Sequence, residues 1–193
     1  MRKTRRKRAT KSPVFTKKHY LSNDGMLTTV WGPSTWHLLH TMSFNYPIHP
    51  TCNDKRNYRA FILSLQNVLP CGKCRNNLRE NFKKHPLKLC HMESRATFSL
   101  YIYKLHEIIN KMLGKQSGLT YMDVRERYEH FRARCNKSIE ELKKEYEKSK
   151  PEKGCTEPLY GEKAKCVLKI VPDNTPCDTF DIDEKCMKKK LVL

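Results

Sequence analysis

No apolar run in the 193-residue sequence is long enough to cross a membrane. The longest ones, residues 61–65 and 100–103, are far shorter than the roughly 20 apolar residues that a spanning helix needs. The basic N-terminus also lacks the apolar segment of a secretory signal peptide. We therefore expect a soluble, intracellular protein.

Acidic residues are absent from residues 1–20, which carry nine Lys or Arg side chains. Such a block repels itself and cannot pack, so residues 1–25 are expected to form a basic, disordered arm. The arm could be a merely solvated tail, a nuclear address, a transit peptide, or a segment that lies on nucleic acid or acidic lipid.

Strand patterns are missing as far as residue 165, and residues 166–171 (CVLKIV) form a single weak candidate. Apolar residues instead recur at helical spacing. The sequence therefore predicts an all-α fold, a four-helix bundle plus a short fifth helix, over about residues 30–133.

Capping and breaking residues predict where these helices begin and end. The first predicted helix is entered through Pro33, with Ser34 or Thr35 in its first turn, and stops before Pro47. The second runs from Asp54 to Pro70, and Cys71 opens the third. The fourth is capped by Ser94 and ended by Gly114, and a short fifth helix runs through Val124, Tyr128 and Phe131. Residues 84–93 are predicted to form a loop.

The pattern divides the chain into four parts. The basic arm (1–25) is followed by the helical domain (26–134), a charged helix (135–150) and a tail (151–193). The charged segment is helical by propensity but has only a narrow apolar face. The tail has no periodicity and contains Cys155, Cys166, Cys177 and Cys186.

The sequence contains nine cysteines, but only Cys71 and Cys74 form a CxxC motif. A zinc site commonly takes two further ligands from a second CxxC or a close His pair. The sequence has no second CxxC, and the adjacent Cys90 and His91 tend to point apart. Zinc is therefore a poor explanation of the motif, and we predict no metal site.

The position of the motif favours redox chemistry over inert packing. Pro70 and Gly72 put the cysteines at the start of a helix, where unpaired N–H groups and the macrodipole stabilise a thiolate. The i, i+3 spacing lets both sulfurs join in one disulfide. A reversible dithiol fits best, but without the βαβ unit of thioredoxin it needs a cofactor to accept its electrons.

Three blocks of the sequence resemble the Erv/ALR family of FAD-linked sulfhydryl oxidases in order and spacing. They are Trp31-Gly-Pro-Ser-Thr-Trp-His-Leu-Leu-His40 with Tyr46-Pro47, then Pro70-Cys71-Gly-Lys-Cys74, and then His106-Glu-Ile-Ile-Asn110-Lys-Met-Leu-Gly-Lys115. The likeness covers about residues 30–131, and it is strongest to the versions that large DNA viruses encode. It implies a helical bundle that holds FAD beside the CxxC.

The resemblance also implies which residues carry the reaction. Cys71 would face the substrate thiols, and Cys74 would face the flavin. The residues that would bind FAD are Gly32, Pro33, Trp36, His40, Tyr46, His106, Asn110, Lys115 and Tyr128. Their types suit flat rings, ribose and pyrophosphate.

By the same resemblance, electrons would pass from protein thiols through the CxxC disulfide to FAD and then to molecular oxygen, giving hydrogen peroxide. A homodimer through the first helices is expected. If the chain is viral, the expected location is the host cytoplasm, at the virus factory, or the virion.

Three features depart from the family pattern. Glu107 stands where Asn usually follows the His, so an acid is expected near FAD. Tyr128 replaces the usual Trp and keeps a ring that can stack. Positions near Tyr103 and Thr120 carry a structural disulfide in many members, and neither is cysteine here.

The other cysteines leave alternatives open. The four tail cysteines could form a mobile shuttle dithiol, structural disulfides or part of a recognition arm. Cys52, Cys90 and Cys135 are expected to include buried thiols. The rival to an oxidase is a non-enzymatic helical protein that binds nucleic acid through its basic arm, or one that binds zinc.

Overall fold

Side chains that cap the first turn set the start of most helices. The computed structural model describes residues 14–134, 157–176 and 180–189. Thr51, Ser94 and Thr120 each accept a hydrogen bond from the backbone N–H three residues later, and Cys71 accepts one through its sulfur. These caps satisfy donors that a helix start otherwise leaves unpaired.

The described residues are mainly helical. The elements are α1 (Lys17–Tyr20), α2 (Thr28–Phe44), α3 (Cys52–Val68), α4 (Gly72–Lys84), a 3-10 helix (Leu89–Met92), α5 (Arg95–Met112), α6 (Tyr121–Glu129), β1 (Ala133–Arg134), β2 (Glu157–Pro158) and a second 3-10 helix (Glu184–Cys186). The predicted all-α fold is confirmed, with α2 to α5 as the bundle and α6 as the short fifth helix.

The core lies on the inner face of α5. Phe98, Ile102 and Leu105 are buried at i, i+4 and i+7, which is the spacing of one helix face. α2 packs against α5, and α3 packs against α4. Leu78 and Phe82 lie one turn apart on α4 and are both buried in this core.

The start of α2 differs from the prediction. The helix begins at Thr28, so Pro33 lies inside it rather than at its first turn. Proline favours first turns because its missing N–H costs nothing there, and this preference misplaced the boundary. The indole Nε1 of Trp31 donates to the carbonyl oxygen of Met26 over 3.1 Å, which ties the additional turn to the preceding segment.

Smaller differences follow from tertiary packing. α3 begins two residues before Asp54, because Thr51 and Asp54 cap each other there. α6 ends before Phe131, and a 3-10 helix interrupts the predicted loop at residues 84–93. Residues 166–171 do not form a strand, since β1 pairs with β2 instead and the side chain of Val167 is 74% exposed.

Some predictions fall outside the described residues. They are the charged helix at 135–150, the first 13 residues of the arm, and the environments of Cys135, Cys155 and Cys177. Within the arm, Lys17–Tyr20 forms the exposed helix α1. None of the helices described here is long and apolar enough to cross a membrane.

Replacing Ser94 by alanine is expected to destabilise the domain by about 1 kcal/mol, the usual cost of losing an N-cap oxygen. The Ser94 hydroxyl accepts the Thr97 N–H at 3.1 Å, at the start of the helix that carries the core. Denaturant unfolding of the two proteins measures the loss. Ser34→Ala, at an exposed position inside α2, is the matched control. Equal unfolding free energies for the two variants would contradict the capping role.

Candidate active site

Cys71 and Cys74 form a disulfide at the start of α4, with their Cα atoms 5.2 Å apart. Cys71 is the N-cap residue, and its sulfur accepts the backbone N–H of Cys74 at 3.2 Å. The positive end of the helix macrodipole therefore faces both sulfurs. This position stabilises a thiolate when the disulfide opens, as the sequence predicted.

The segment before α2 packs over the disulfide. The N–H of Met26 donates to the carbonyl oxygen of Pro70 at 3.0 Å. A Cβ atom on Gly25 would lie 3.2 Å from that same oxygen, so a side chain there would crowd the contact. As a result Thr28, in the first turn of α2, has its hydroxyl oxygen 4.0 Å from the sulfur of Cys74.

Further along α2, three predicted cofactor residues meet in one cluster. The rings of Trp36 and His106 stack with centroids 3.9 Å apart and planes at 7°. Nε2 of His40 and Nδ1 of His106 are 3.0 Å apart, which makes one imidazole the donor and the other the acceptor. The other ring nitrogen of His40, Nδ1, is buried and has no hydrogen-bond partner among the described residues.

Tyr128 joins this cluster from α6. Its ring stacks on His40 and Phe44 at centroid distances of 5.3 and 5.4 Å. Its hydroxyl oxygen lies 3.1 Å from Nδ1 of His37. The family-type Trp is thus replaced by a smaller ring whose hydroxyl reaches α2.

Burial keeps the imidazoles of the cluster neutral. Desolvation, followed by the neighbouring imidazoles of His106 and His37, lowers the pKa of His40 to about 3. Burial lowers the pKa of His106 to about 4, against the opposing effect of Glu107. Burial likewise raises the pKa of the Tyr128 hydroxyl. Each group is uncharged near neutral pH, so the cluster offers hydrogen bonds and ring faces rather than charge.

The remaining predicted cofactor residues lie at the margin of the cluster or apart from it. Asn110 donates from Nδ2 to the Glu107 carboxylate at 3.1 Å. Glu107, which departs from the family pattern, is therefore hydrogen-bonded to a predicted cofactor residue. Lys115 is exposed just after α5, and Pro33 is exposed on α2. A Cβ atom added to Gly32 would lie 3.8 Å from the methyl carbon of Thr28, which is an ordinary contact distance.

Tyr46 is fully buried in the core instead. Its hydroxyl donates to the carbonyl oxygen of Met92 at 2.8 Å, and its ring packs edge-on against Tyr58 at a centroid distance of 4.8 Å. Desolvation, with smaller effects from Asp54 and Tyr58, raises the pKa of Tyr46 to about 12. In this structure the residue joins the end of α2 to the 3-10 helix Leu89–Met92 and to α3.

Hydrogen bonds connect α5 to the segment that begins α6. The Tyr103 hydroxyl donates to the carbonyl oxygen of Leu119 at 2.7 Å. Nearby, the hydroxyl groups of Ser99 and Tyr121 are 2.8 Å apart. These contacts tie α5 to the start of α6.

Residues 33–131 match the model of the Erv1 / Alr family. The matched region contains the disulfide and the cluster, and it spans half of the chain. The chain belongs to the Erv1 / Alr family.

Named Erv1 / Alr relatives come from viruses and from plants. A probable FAD-linked sulfhydryl oxidase of Acanthamoeba polyphaga mimivirus is 37% identical over 99 residues, which is 51% of this chain and 68% of that protein. An FAD-linked sulfhydryl oxidase of African swine fever virus is 30% identical, over 45% of this chain and 70% of the relative. The Oryza sativa enzyme ERV1 is 32% identical, over 44% of this chain and 42% of its own length.

A solved structure is also similar. The FAD-binding domain of Erv1 from Saccharomyces cerevisiae has a TM-score of 0.49 and 24% sequence identity. The comparison covers 53% of this chain and 94% of that one.

The residues present fit the FAD that the Erv1 / Alr family implies. The unpartnered Nδ1 of His40 is a buried hydrogen-bonding atom that a ligand could satisfy. Trp36 and Tyr128 supply aromatic rings of the kind that pack against flat cofactor rings. Trp36 lies eight residues after Thr28, about 12 Å along α2, so an elongated cofactor could reach from the cluster towards Cys74.

Several residues of the site were not predicted from the sequence. His37, Phe44 and Thr28 enter through α2, and only His37 lies within a block that carried the resemblance. The prediction of buried thiols is wrong for Cys52 and Cys90, which are both exposed. Each lies in the first turn of a helix with its side chain exposed to solvent. The amino-acid composition does not predict on which side of a helix a cysteine lies.

The imidazole cluster predicts a pH dependence of stability. A histidine whose folded-state pKa is lowered adds stability that is full above its unfolded pKa of about 6.5 and is lost as the pH falls towards the folded value. We expect the wild-type protein to lose stability relative to His106→Phe below pH 6.5, by at most about 1.4 kcal/mol per pH unit. Phenylalanine keeps a ring against Trp36 but does not titrate.

Denaturant unfolding at pH 7, 6 and 5 measures this difference. The exposed His49→Phe is the control and is expected to follow the wild-type pH profile. Parallel profiles for wild type and His106→Phe would show that His106 is not held neutral by the fold.

Proposed function

We propose that this protein is an FAD-dependent sulfhydryl oxidase that forms disulfide bonds in protein substrates. The observation that supports it most is the disulfide at the N-terminus of α4, connected along α2 to a neutral aromatic and imidazole cluster in a chain of the Erv1 / Alr family. The relatives that carry the name FAD-linked sulfhydryl oxidase support the same activity.

The first step is thiol–disulfide exchange. A substrate thiolate attacks the sulfur of Cys71, the Cys71–Cys74 bond breaks, and Cys74 leaves as a thiolate. The start of α4 stabilises the negative charge, and the Thr28 hydroxyl, 4.0 Å from the Cys74 sulfur, is in position to donate to it. A second substrate thiol then displaces Cys71, leaving an oxidised substrate and a reduced CxxC.

FAD would be held by Trp36, His40, His106 and Tyr128, which contact one another in the cluster. Gly32, Asn110 and Lys115 are the further residues that the resemblance implies. When bound, FAD would take the two electrons of the reduced CxxC and deliver them to molecular oxygen, giving hydrogen peroxide. The neutral imidazoles of His40 and His106 would donate or accept hydrogen bonds without adding charge. Their burial would keep water from the rings.

The decisive experiment tests the colour and the thiol oxidation of the purified full-length chain. The wild type should be yellow and should consume oxygen when given a reduced protein substrate. Cys71→Ser and Cys74→Ser should keep the flavin and lose oxidation to the level of free FAD, because neither can re-form the disulfide. The exposed Cys52→Ser is the matched control and should remain active.

A colourless wild-type protein that takes up no FAD would overturn the proposal. Oxygen consumption that persists in both Cys71→Ser and Cys74→Ser would overturn the role of the CxxC. DNA binding with a steep salt dependence, together with no flavin, would support the nucleic-acid alternative instead.

The tail cysteines have a separate test. Cys166 is exposed and Cys186 is partly buried, and both are free thiols in the described part of the tail. If the tail carries a shuttle dithiol, replacing Cys155, Cys166, Cys177 and Cys186 together by serine should slow oxidation of protein thiols and leave oxidation of dithiothreitol unchanged. Unchanged rates with both substrates would exclude the shuttle. The homodimer and a nucleic-acid contact of the arm stay predictions.

A further inference from the structure

The tail docks on the end of the helical domain that carries the cluster. The N–H of Leu159 donates to the carbonyl oxygen of Arg132 at 2.7 Å, next to the β1–β2 pair. The N–H of Lys188 donates to Nδ1 of His130 at 3.0 Å. These tail residues lie outside the region that matches the family model.

One aromatic side chain of the tail enters the cluster. The ring of Phe180 stacks on Tyr128 at a centroid distance of 5.7 Å and an interplanar angle of 22°. It also lies 5.2 Å from the ring of His37 and edge-on to Phe131 at 5.8 Å. Since Phe44 and His40 pack on Tyr128 at similar distances, the Tyr128 ring is held by neighbours from both α2 and the tail.

The backbone of Phe180 is strained. Its φ angle of +69° lies in the left-handed region, which is unfavourable for a bulky residue. Such a conformation persists only where the surrounding structure holds it, and it is concentrated at functional sites. Here the contacts with Tyr128, His37 and Phe131 hold it.

The tail also depends on a close approach at Gly161. This residue has a φ angle of +67°, and a Cβ atom there would lie 2.5 Å from the carbonyl carbon of Cys186. The N–H of Glu162 donates to the carbonyl oxygen of Lys185 at 2.8 Å beside it. Only glycine allows the two ends of the described tail to pack this closely.

We propose that Phe180 is a positioning residue of the cofactor site: by stacking on Tyr128 it fixes a ring that the proposed function assigns to FAD binding, so that the tail takes part in holding FAD. The inference rests on the proposed function and extends the site beyond the family domain. The described tail would then strengthen cofactor binding, independently of whether its cysteines form a shuttle dithiol or structural disulfides.

The test is FAD affinity, measured by titrating the full-length apoprotein and following flavin fluorescence. Phe180→Ala is expected to raise the dissociation constant by about 3- to 10-fold, the size of one lost aromatic pair. Phe180→Tyr keeps the flat ring and should restore wild-type affinity, whereas Phe180→Leu keeps the bulk and should not. Ile170→Ala, at an exposed tail position, is the matched control and should bind like the wild type.

Gly161→Ala gives a second, independent measurement. By forcing the tail apart it should lower FAD affinity as Phe180→Ala does, and it should speed tryptic cleavage of the tail in the apoprotein. The melting temperature of the apoprotein checks that the helical domain of each variant stays folded.

The affinity measurements distinguish the positioning role of Phe180 from the proposed function. Wild-type FAD affinity in Phe180→Ala, or equal affinity for the Leu and Tyr variants, would overturn the inference and leave the proposed function intact. A wild-type apoprotein that binds no FAD would overturn the proposed function and this inference with it. Reduced affinity that Tyr restores and Leu does not would support the positioning role.

Discussion

The contact between α2 and α5 is the constraint on which the rest of the structure depends. Trp36 stacks on His106, and His106 shares a hydrogen bond with His40, so a stacking contact and a buried polar contact fix the two helices. Because both imidazoles are desolvated, they are neutral, and a charge on either would have to be buried. Stability and the chemistry of the site therefore rest on the same pair of rings.

α2 also joins this contact to the disulfide. Its first turn brings Thr28 beside Cys74, and its third and fourth turns supply Trp36 and His40. The disulfide itself needs only the start of α4, where the cap geometry puts both sulfurs at the positive end of the helix. A single rigid helix thus sets the separation between the thiol chemistry and the ring cluster.

The tail and the hydrogen-bonded α5–α6 connection indicate how this chain maintains a family site with different residues. Tyr103 and Leu119 join α5 to the segment before α6 by a hydrogen bond. Tyr128 is a smaller ring than the usual Trp, and Phe180 packs against it from outside the family domain. In both places a contact between separate segments, Tyr103 with Leu119 and Phe180 with Tyr128, holds the site together.

The sequence by itself determined the helical class and the helix starts at Ser94 and Cys71, because these depend on local spacing and capping residues. The grouping of Trp36 and His40 with His106 was implied only by the resemblance to the Erv/ALR family, since His40 and His106 are 66 residues apart in the chain. The sequence misplaced the start of α2, since a proline preference is weaker than the contact between Trp31 and Met26. Only the tertiary structure decided that Tyr46 is a core residue and that Phe180 reaches Tyr128. Such contacts join residues far apart in the chain, and neither periodicity nor composition encodes which distant segment will pack there.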